Sequence, residues 1–370
     1  MNQPRWTVFA MSMHNVSNHT YVEPVELFPE LSLTILSCVL SILGSFVVFW
    51  TFYRFDDRNV RTGGRTLLVW LCIADLVTAT GNLIGVARYI YLYHTLHKRV
   101  IFEEDNTADC QYPGLLDVCI VQSFMTTCSS MMSFFWTCAI SIYFIAAVVG
   151  RNNRLADRLV VHFHVFCWSV PLFITSFAAG KHALGEDFSV ASGGWCWITR
   201  CNKLSPGDQI AWMAMSGKVW EILMYLVIAH NYILVKYHVW STKRVQLRRI
   251  PHYLLDSSDT HDRNQVINSS DTMFVFVPFV MYLLRIWGTI RFIVNSSISI
   301  DQQRSHEYVT ANRILTTLQG IGDSGQGFGN FLLFCLFTKD IRKRLFCRET
   351  PDSERRHLLN NGEDELHSAA

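Results

Sequence analysis

Apolar residues in this chain do not recur at helical or strand period over short windows; they come in long runs. The runs cover 31–53, 66–92, 118–149, 159–180, 210–235, 272–294 and 314–337. Each exceeds the ~18 residues that, at ~1.5 Å per residue, carry a helix across most of a ~30 Å hydrocarbon layer. The pattern predicts an all-α membrane protein, a seven-transmembrane helix bundle. The third run is longer than the bilayer is thick and is expected to tilt or protrude. A soluble all-α fold would need every one of these helices buried on all sides, and is set aside.

Composition agrees with this reading. The chain is 50% hydrophobic and 17% charged, against about 25% charge in soluble domains. A net charge of +2 gives no reason to expect nucleic acid as a partner. Lys and Arg crowd the segments 54–65, 151–158, 236–249 and 339–348, which follow alternate runs. Positive residues mark the cytoplasmic side, so the amino terminus is expected outside and the carboxyl terminus inside, at the plasma membrane. Residues 1–30 then form an extracellular segment with glycosylation acceptors at Asn15 and Asn18. The receptor-sized unit is 31–337. Residues 338–348 form an expected short amphipathic eighth helix, with Ile341, Leu345 and Phe346 toward the lipid. Cys347 beside it is a palmitoylation candidate. From 349 to 370 the chain is polar and expected to be a disordered cytoplasmic tail.

The loop between the fourth and fifth runs holds G-G-W-C-W-I-T-R-C at 193–201, an unusual amount of aromatic surface for a loop. On the predicted topology it faces the oxidising side, where disulfides persist. Of the 11 cysteines, Cys110, Cys119, Cys196 and Cys201 lie on that side. Cys119, at the outer tip of the third helix, is the expected partner of Cys196, leaving Cys110 and Cys201 for a second bridge. Spacing alone does not fix the connectivity. Such a tie would hold Trp195 and Trp197 over the mouth of the bundle or at headgroup level.

Ionisable groups at membrane depth cost ~2.5–3.5 kcal/mol or more and are functional candidates by default. Asp75 and Asp323 fall at similar mid-membrane levels and are expected to share a polar network with Asn82 or Asn330, rearranging on activation. Lys218 and Glu221 are three residues apart on one helix face and can pair. Arg88, Arg285 and Arg291 add positive charge, Arg291 being expected to snorkel and Arg285 to find Glu221. Lys218, Glu221, Arg88, Arg285, Trp195 and Trp197 together suggest an outer, partly cationic ligand pocket. It suits an anionic or zwitterionic ligand better than an apolar one. Gly320, Gly322, Gly325, Gly327 and Gly329 crowd the last run, allowing close helix approach or a bend. On the opposite side Arg151, Arg154, Lys243 and Arg244 are candidates to face a cytoplasmic partner.

Several motifs sharpen the class. The third run ends A-A-V-V-G-R-N-N-R, with no acid before Arg151, and the seventh ends G-Q-G-F-G-N-F-L-L-F-C-L-F, without proline. Neither fits the rhodopsin-like branch of G-protein-coupled receptors. The seventh run instead resembles secretin-like and cyclic-AMP-receptor-like receptors at Gln326, Gly327, Phe328, Cys335 and Phe337. The stretches S-F-F-W-T-C-A-I (133–140), H-V-F-C-W-S-V-P-L (164–172), G-W-C-W-I (194–198) and G-K-V-W-E (217–221) are similar to the same group in the same order. The resemblance implies an orphan receptor with an unknown extracellular ligand, a heterotrimeric G-protein partner of the Gq type acting through phospholipase C and calcium, and a ciliary pool. Residues 314–337 hold no lysine for a retinal Schiff base. No cofactor fingerprint, metal cluster or nucleophile–base set argues for an enzyme. A multi-pass transporter or channel is the alternative, although no internal repeat supports it.

Overall fold

The computed structural model describes residues 28–54, 63–95, 113–148, 153–186, 192, 194–199, 204–249, 276–297 and 306–337. Asn15, Asn18, Cys110, Arg151, Cys201, Cys347, the expected eighth helix and the tail lie outside them. Backbone polar groups cannot find water inside a bilayer, so an apolar run satisfies them internally by coiling into a helix. The described elements are α1 (Phe28–Arg54), α2 (Gly63–Thr95), α3 (Pro113–Val148), α4 (Asn153–Gly180), the strands β1 (Leu184–Gly185) and β2 (Trp197–Ile198), α5 (Pro206–Met213), α6 (Val219–Arg249), α7 (Phe276–Ser297), α8 (His306–Ser324) and α9 (Gln326–Phe331). Several helices outrun their apolar segments, most visibly α3 at its start and α6 at its end.

Six helical stretches among these are long and apolar enough to cross a membrane. The fifth of them joins α5 to α6 through a π-helical turn at Ala214–Lys218. Its start is set locally: Ser205 caps the helix, its hydroxyl accepting from the Asp208 amide while the Asp208 carboxylate accepts from the Ser205 amide, with Pro206 at the first position. The remaining span is α8, α9 and a second π-helical turn at Leu332–Phe337. It begins at His306 rather than at the expected 314, and it is polar where the others are greasy. Gln319, Gln326 and Asn330 are buried on it.

The bundle is inside-out in polarity. On α1, Leu36, Leu43, Phe46 and Trp50 are exposed while Ser37, Ser41, Ser45 and Val48 are buried. Both sets repeat at helical spacing, so the outward face is hydrocarbon-like and the inward face carries the small polar side chains that let membrane helices approach. α3 sits at the centre, packed on α2, α4, α6 and α7. One core cluster joins Val48, Leu67, Leu71, Trp136, Val277 and Phe334. Trp70 and Trp136 stack on each other and meet Trp168 and His164 edge-on, so His164 is a packing residue, while His162 hydrogen-bonds the Arg158 carbonyl at the surface.

Glycine lets the seventh span press against its neighbours. The α8–α9 helix is interrupted at Gly325 (φ −87°, ψ 0°), where the Ser37 hydroxyl donates to the Ile321 carbonyl at 2.8 Å and bolts the break to α1. A Cβ on Gly322 would run into the Leu284 carbonyl of α7, and one on Gly327 would stand 3.0 Å from the Ser41 carbonyl oxygen. Both readings of the glycine-rich run therefore apply, close approach and a bend. Gly322→Ala is expected to lower the melting temperature of the detergent-solubilised protein and its surface level, whereas Gly180→Ala, with nothing within 4 Å of its Cβ position, leaves both unchanged.

Candidate ligand pocket

The loop after α4 is built as a cover. Leu184 pairs with Ile198 and Gly185 with Trp197 in a two-stranded antiparallel ribbon. Cys119 near the start of α3 is bonded to Cys196, with a Cα separation of 5.6 Å. α3 adds two further ties. The Gln122 side-chain oxygen accepts from the Cys196 amide at 2.8 Å, and the Ser123 hydroxyl donates to the Trp197 carbonyl at 2.5 Å. Trp195 is buried against Leu31 and Val86. The aromatic residues of the loop are thus held by covalent, polar and apolar contacts at once.

Beneath this cover lies a cavity of about 60 Å³, lined by Trp195 and Trp197 above and by Asn82, Thr126, Thr127, Ser130, Phe134, Ser216, Lys218, Glu221, Arg285, Gln319 and Asp323. The π-helical turn in the fifth span buries Ser216 and Lys218. Such turns insert a residue into the helical repeat and are frequent at functional sites. Lys218 Nζ donates to Glu221 Oε2 at 2.8 Å. The other carboxylate oxygen of Glu221 accepts from Tyr225 at 2.7 Å and from Thr289 of α7 at 2.5 Å. Glu221 is therefore well bonded, and it ties the fifth span to the sixth. A buried pair of this kind is held by mutual need, because either charge left alone at such depth is costly.

Arg285 is placed differently from expectation. Its Nε donates to Gln326 at 3.0 Å, its Nη1 stands 3.9 Å from Asp323, and its guanidinium covers the Phe134 ring at 4.8 Å. Glu221 is already claimed by Lys218, Tyr225 and Thr289, which leaves Asp323 as the carboxylate for Arg285. Arg291 does not snorkel. It is 3% exposed and donates to Asn312 at 3.0 Å, to Gln319 at 2.9 Å and to the Ser192 carbonyl of the covering loop at 3.2 Å. Arg88 lies outside the cavity lining and pairs with Glu186 beside the disulfide, 3.5 Å from Cys196 Sγ.

Asp75 and Asp323 do not share one network. Asp75 accepts from Ser133 of α3 and from Asn330 of α9, each at 2.7 Å. Asp323 is served by Gln319 at 3.3 Å. Asn82 donates to Ser324 at 3.1 Å, between the two. The Asp75–Asn330 half of the expectation holds, and the polar interior divides into an upper charged layer and a lower uncharged-partner knot. Tyr225, Thr289 and Gln319 bond the charged groups without having been singled out by the sequence, and Gln326, noted there only as a point of resemblance, bonds Arg285. Gln319, Asp323 and Gln326 repeat at four and three residues, a polar helix face inside an apolar run, and that signal was present. Arg154, Lys243 and Arg244 fall on α4 and α6 at the end of the bundle opposite the covering loop.

This architecture can be compared with known proteins. Residues 24–243 match the family model of the slime mold cyclic AMP receptor. G-protein coupled receptor 157 of Rattus norvegicus is 32% identical over 329 residues, 88% of each chain, and that of Homo sapiens 32% identical over 326 residues, 87% of this chain and 85% of the human one. The chain belongs to this family of G-protein-coupled receptors. Latrophilin receptor-like protein A of Dictyostelium discoideum is similar over a shorter stretch, 24% identical over 166 residues, 45% of this chain and 44% of its own. Squid rhodopsin has the same fold, with a TM-score of 0.59 at 13% identity over 91% of both chains. Seven spans follow from that fold even though the last is too polar and too broken to qualify by composition. Family membership also sets the receptor class ahead of a transporter or channel.

Among the described residues the covering loop has one covalent anchor, the Cys119–Cys196 bond. Replacing either Cys119 or Cys196 with Ser is expected to trap the protein inside the cell, read as loss of surface staining with total expression retained. Normal surface levels of both variants would contradict the assigned role of the bridge.

Proposed function

We propose that the chain is a plasma-membrane receptor, amino terminus outside, that passes an extracellular ligand signal to a heterotrimeric G protein. The observation that carries this reading is the roofed cavity with four charged side chains, Lys218, Glu221, Arg285 and Asp323, at one end of a bundle whose interior polar chain continues toward the other. A ligand displacing or joining these charges would act on the fifth, sixth and seventh spans together, since Glu221 bonds Thr289 and Arg285 bonds Gln326. The seventh span then offers a route: Gln326 lies one turn from Asn330, and Asn330 donates to Asp75. Asp75, Asp323 and Asn330 are the proposed activation groups. Repacking there would open the far end of the bundle, where Arg151, Arg154, Lys243 and Arg244 are the proposed contacts for a G-protein helix docking in a groove. Gq-type coupling with phospholipase C and calcium output is the arm to test first, and a ciliary membrane pool is the proposed location beyond the general cell surface.

A G-protein dissociation panel run on the unliganded full-length receptor tests the coupling. The expected outcome is basal dissociation of a Gq-type sensor that scales with receptor expression and falls severalfold in the double variant Lys243→Glu/Arg244→Glu at equal surface level. Silence across all sensor types, or a response indifferent to that double variant, contradicts the proposal.

A further inference from the structure

The polar groups of the cavity are not equally satisfied, and the imbalance has a chemical sense. Glu221 accepts three hydrogen bonds and Lys218 donates to it at 2.8 Å, so both members of that pair have close partners. Arg285 is less fully served. It is 3% exposed, its Nη2 has no hydrogen-bond partner among the described residues, and its Nη1 reaches Asp323 only at 3.9 Å. Asp323 in turn receives a single long hydrogen bond, 3.3 Å from Gln319. Among the described residues three more buried atoms on the cavity lining lack a partner: Asn82 Oδ1, Thr127 Oγ1 and Ser216 Oγ. Buried polar atoms without partners cost free energy, and several gathered on one cavity point to a solute that supplies the missing bonds.

The solute's charge follows from which groups are short of partners. A guanidinium fork with open donors favours a carboxylate or another planar anion, which it can grip with two hydrogen bonds. A plain anion there would meet Asp323, a like charge less than two hydrogen-bond lengths from the guanidinium. A plain cation would suit Asp323 and Asn82 Oδ1 but would meet Arg285 and Lys218. Only a molecule carrying both charges satisfies each side without a repulsive contact, and the opposite charge acts as the device of exclusion. The volume adds a limit. At about 60 Å³ the cavity is far below the ~300–1,000 Å³ of drug-sized pockets.

We propose that this cavity binds a compact zwitterion about the size of a small amino acid, its anionic group on the Arg285 guanidinium and its cationic group on Asp323 and Asn82. The inference rests on the reading of the cavity as the ligand site, but its test is made on binding alone. G-protein coupling and ligand chemistry therefore succeed or fail separately.

Full-length receptor in lipid nanodiscs is titrated, with thermal melting as readout, against three sets of probes. These are the zwitterions glycine, L-alanine and β-alanine; the anions acetate and propionate; and the cation ethylammonium. The expected result is saturable stabilisation by at least one zwitterion and none by the single-charge probes at the same concentration. Arg285→Gln should weaken the zwitterion by roughly 30-fold or more, as for loss of one partner in a buried charge pair. Asp323→Asn should weaken it similarly while creating a response to propionate, a gain that an unfolded variant cannot show. Equal stabilisation by propionate and alanine in the unaltered receptor would overturn the proposal in favour of a simple anion site. Stabilisation by ethylammonium alone would overturn it in favour of a cation site. No response to any probe would mean that the cavity holds water only, and would overturn it as well.

Discussion

A charge inside a bilayer must be answered within the bundle, and that constraint organises this receptor. Lys218, Glu221, Arg285 and Arg291 are each at most 6% exposed, although each would cost ~2.5–3.5 kcal/mol or more on a lipid-facing surface. They are tolerated because each is bonded inside the bundle, Lys218 through Glu221 on its own span and the others across spans. Glu221 reaches Thr289, Arg285 reaches Gln326 and Asp323, and Arg291 reaches Asn312, Gln319 and the Ser192 carbonyl. These bonds fix how the fifth, sixth and seventh spans face one another more tightly than apolar packing could, since lipid is as good a solvent for leucine as a neighbouring helix is.

The seventh span carries the consequence. It has to be polar to serve Arg285, Arg291 and Asp75, and it has to be thin to reach them. Glutamine, asparagine and aspartate supply the first property. Glycine supplies the second, at the cost of the interruption at Gly325 that Ser37 then secures from α1. The covering loop closes the same assembly from above. The Cys119–Cys196 bond anchors it to α3, and Arg291 anchors it to the sixth span through Ser192, so the roof and the charged layer are connected.

Much of this was legible in the chain. Seven spans could be read from run length, and the Lys218–Glu221 pair from its three-residue spacing. The link from Cys119 to Cys196 followed from topology and redox side. What was not legible was the choice among partners. Arg285 could reach either carboxylate by sequence; in the fold Lys218, Tyr225 and Thr289 hold Glu221, and Arg285 stands 3.9 Å from Asp323. Arg291 is expected to snorkel, while its burial depends on Asn312, Gln319 and a loop carbonyl from elsewhere. Asp75 and Asp323 were expected at similar levels, yet they serve different partners, Asp75 taking Ser133 and Asn330 while Asp323 takes Gln319 and Arg285. Segment length and charge are local properties. Partner choice among several buried groups is decided by three or more helices at once.

The most direct test of mutual charge satisfaction is a double-mutant cycle on Lys218→Met and Glu221→Leu in the purified full-length receptor, read as melting temperature. Removal of one member of a buried pair costs ~3–5 kcal/mol because the other is stranded, whereas apolar replacement of both is near neutral. The account predicts that each single variant melts well below the unaltered receptor and that the double variant recovers most of the loss. Single effects that simply add in the double variant, or singles that melt like the unaltered receptor, would contradict it.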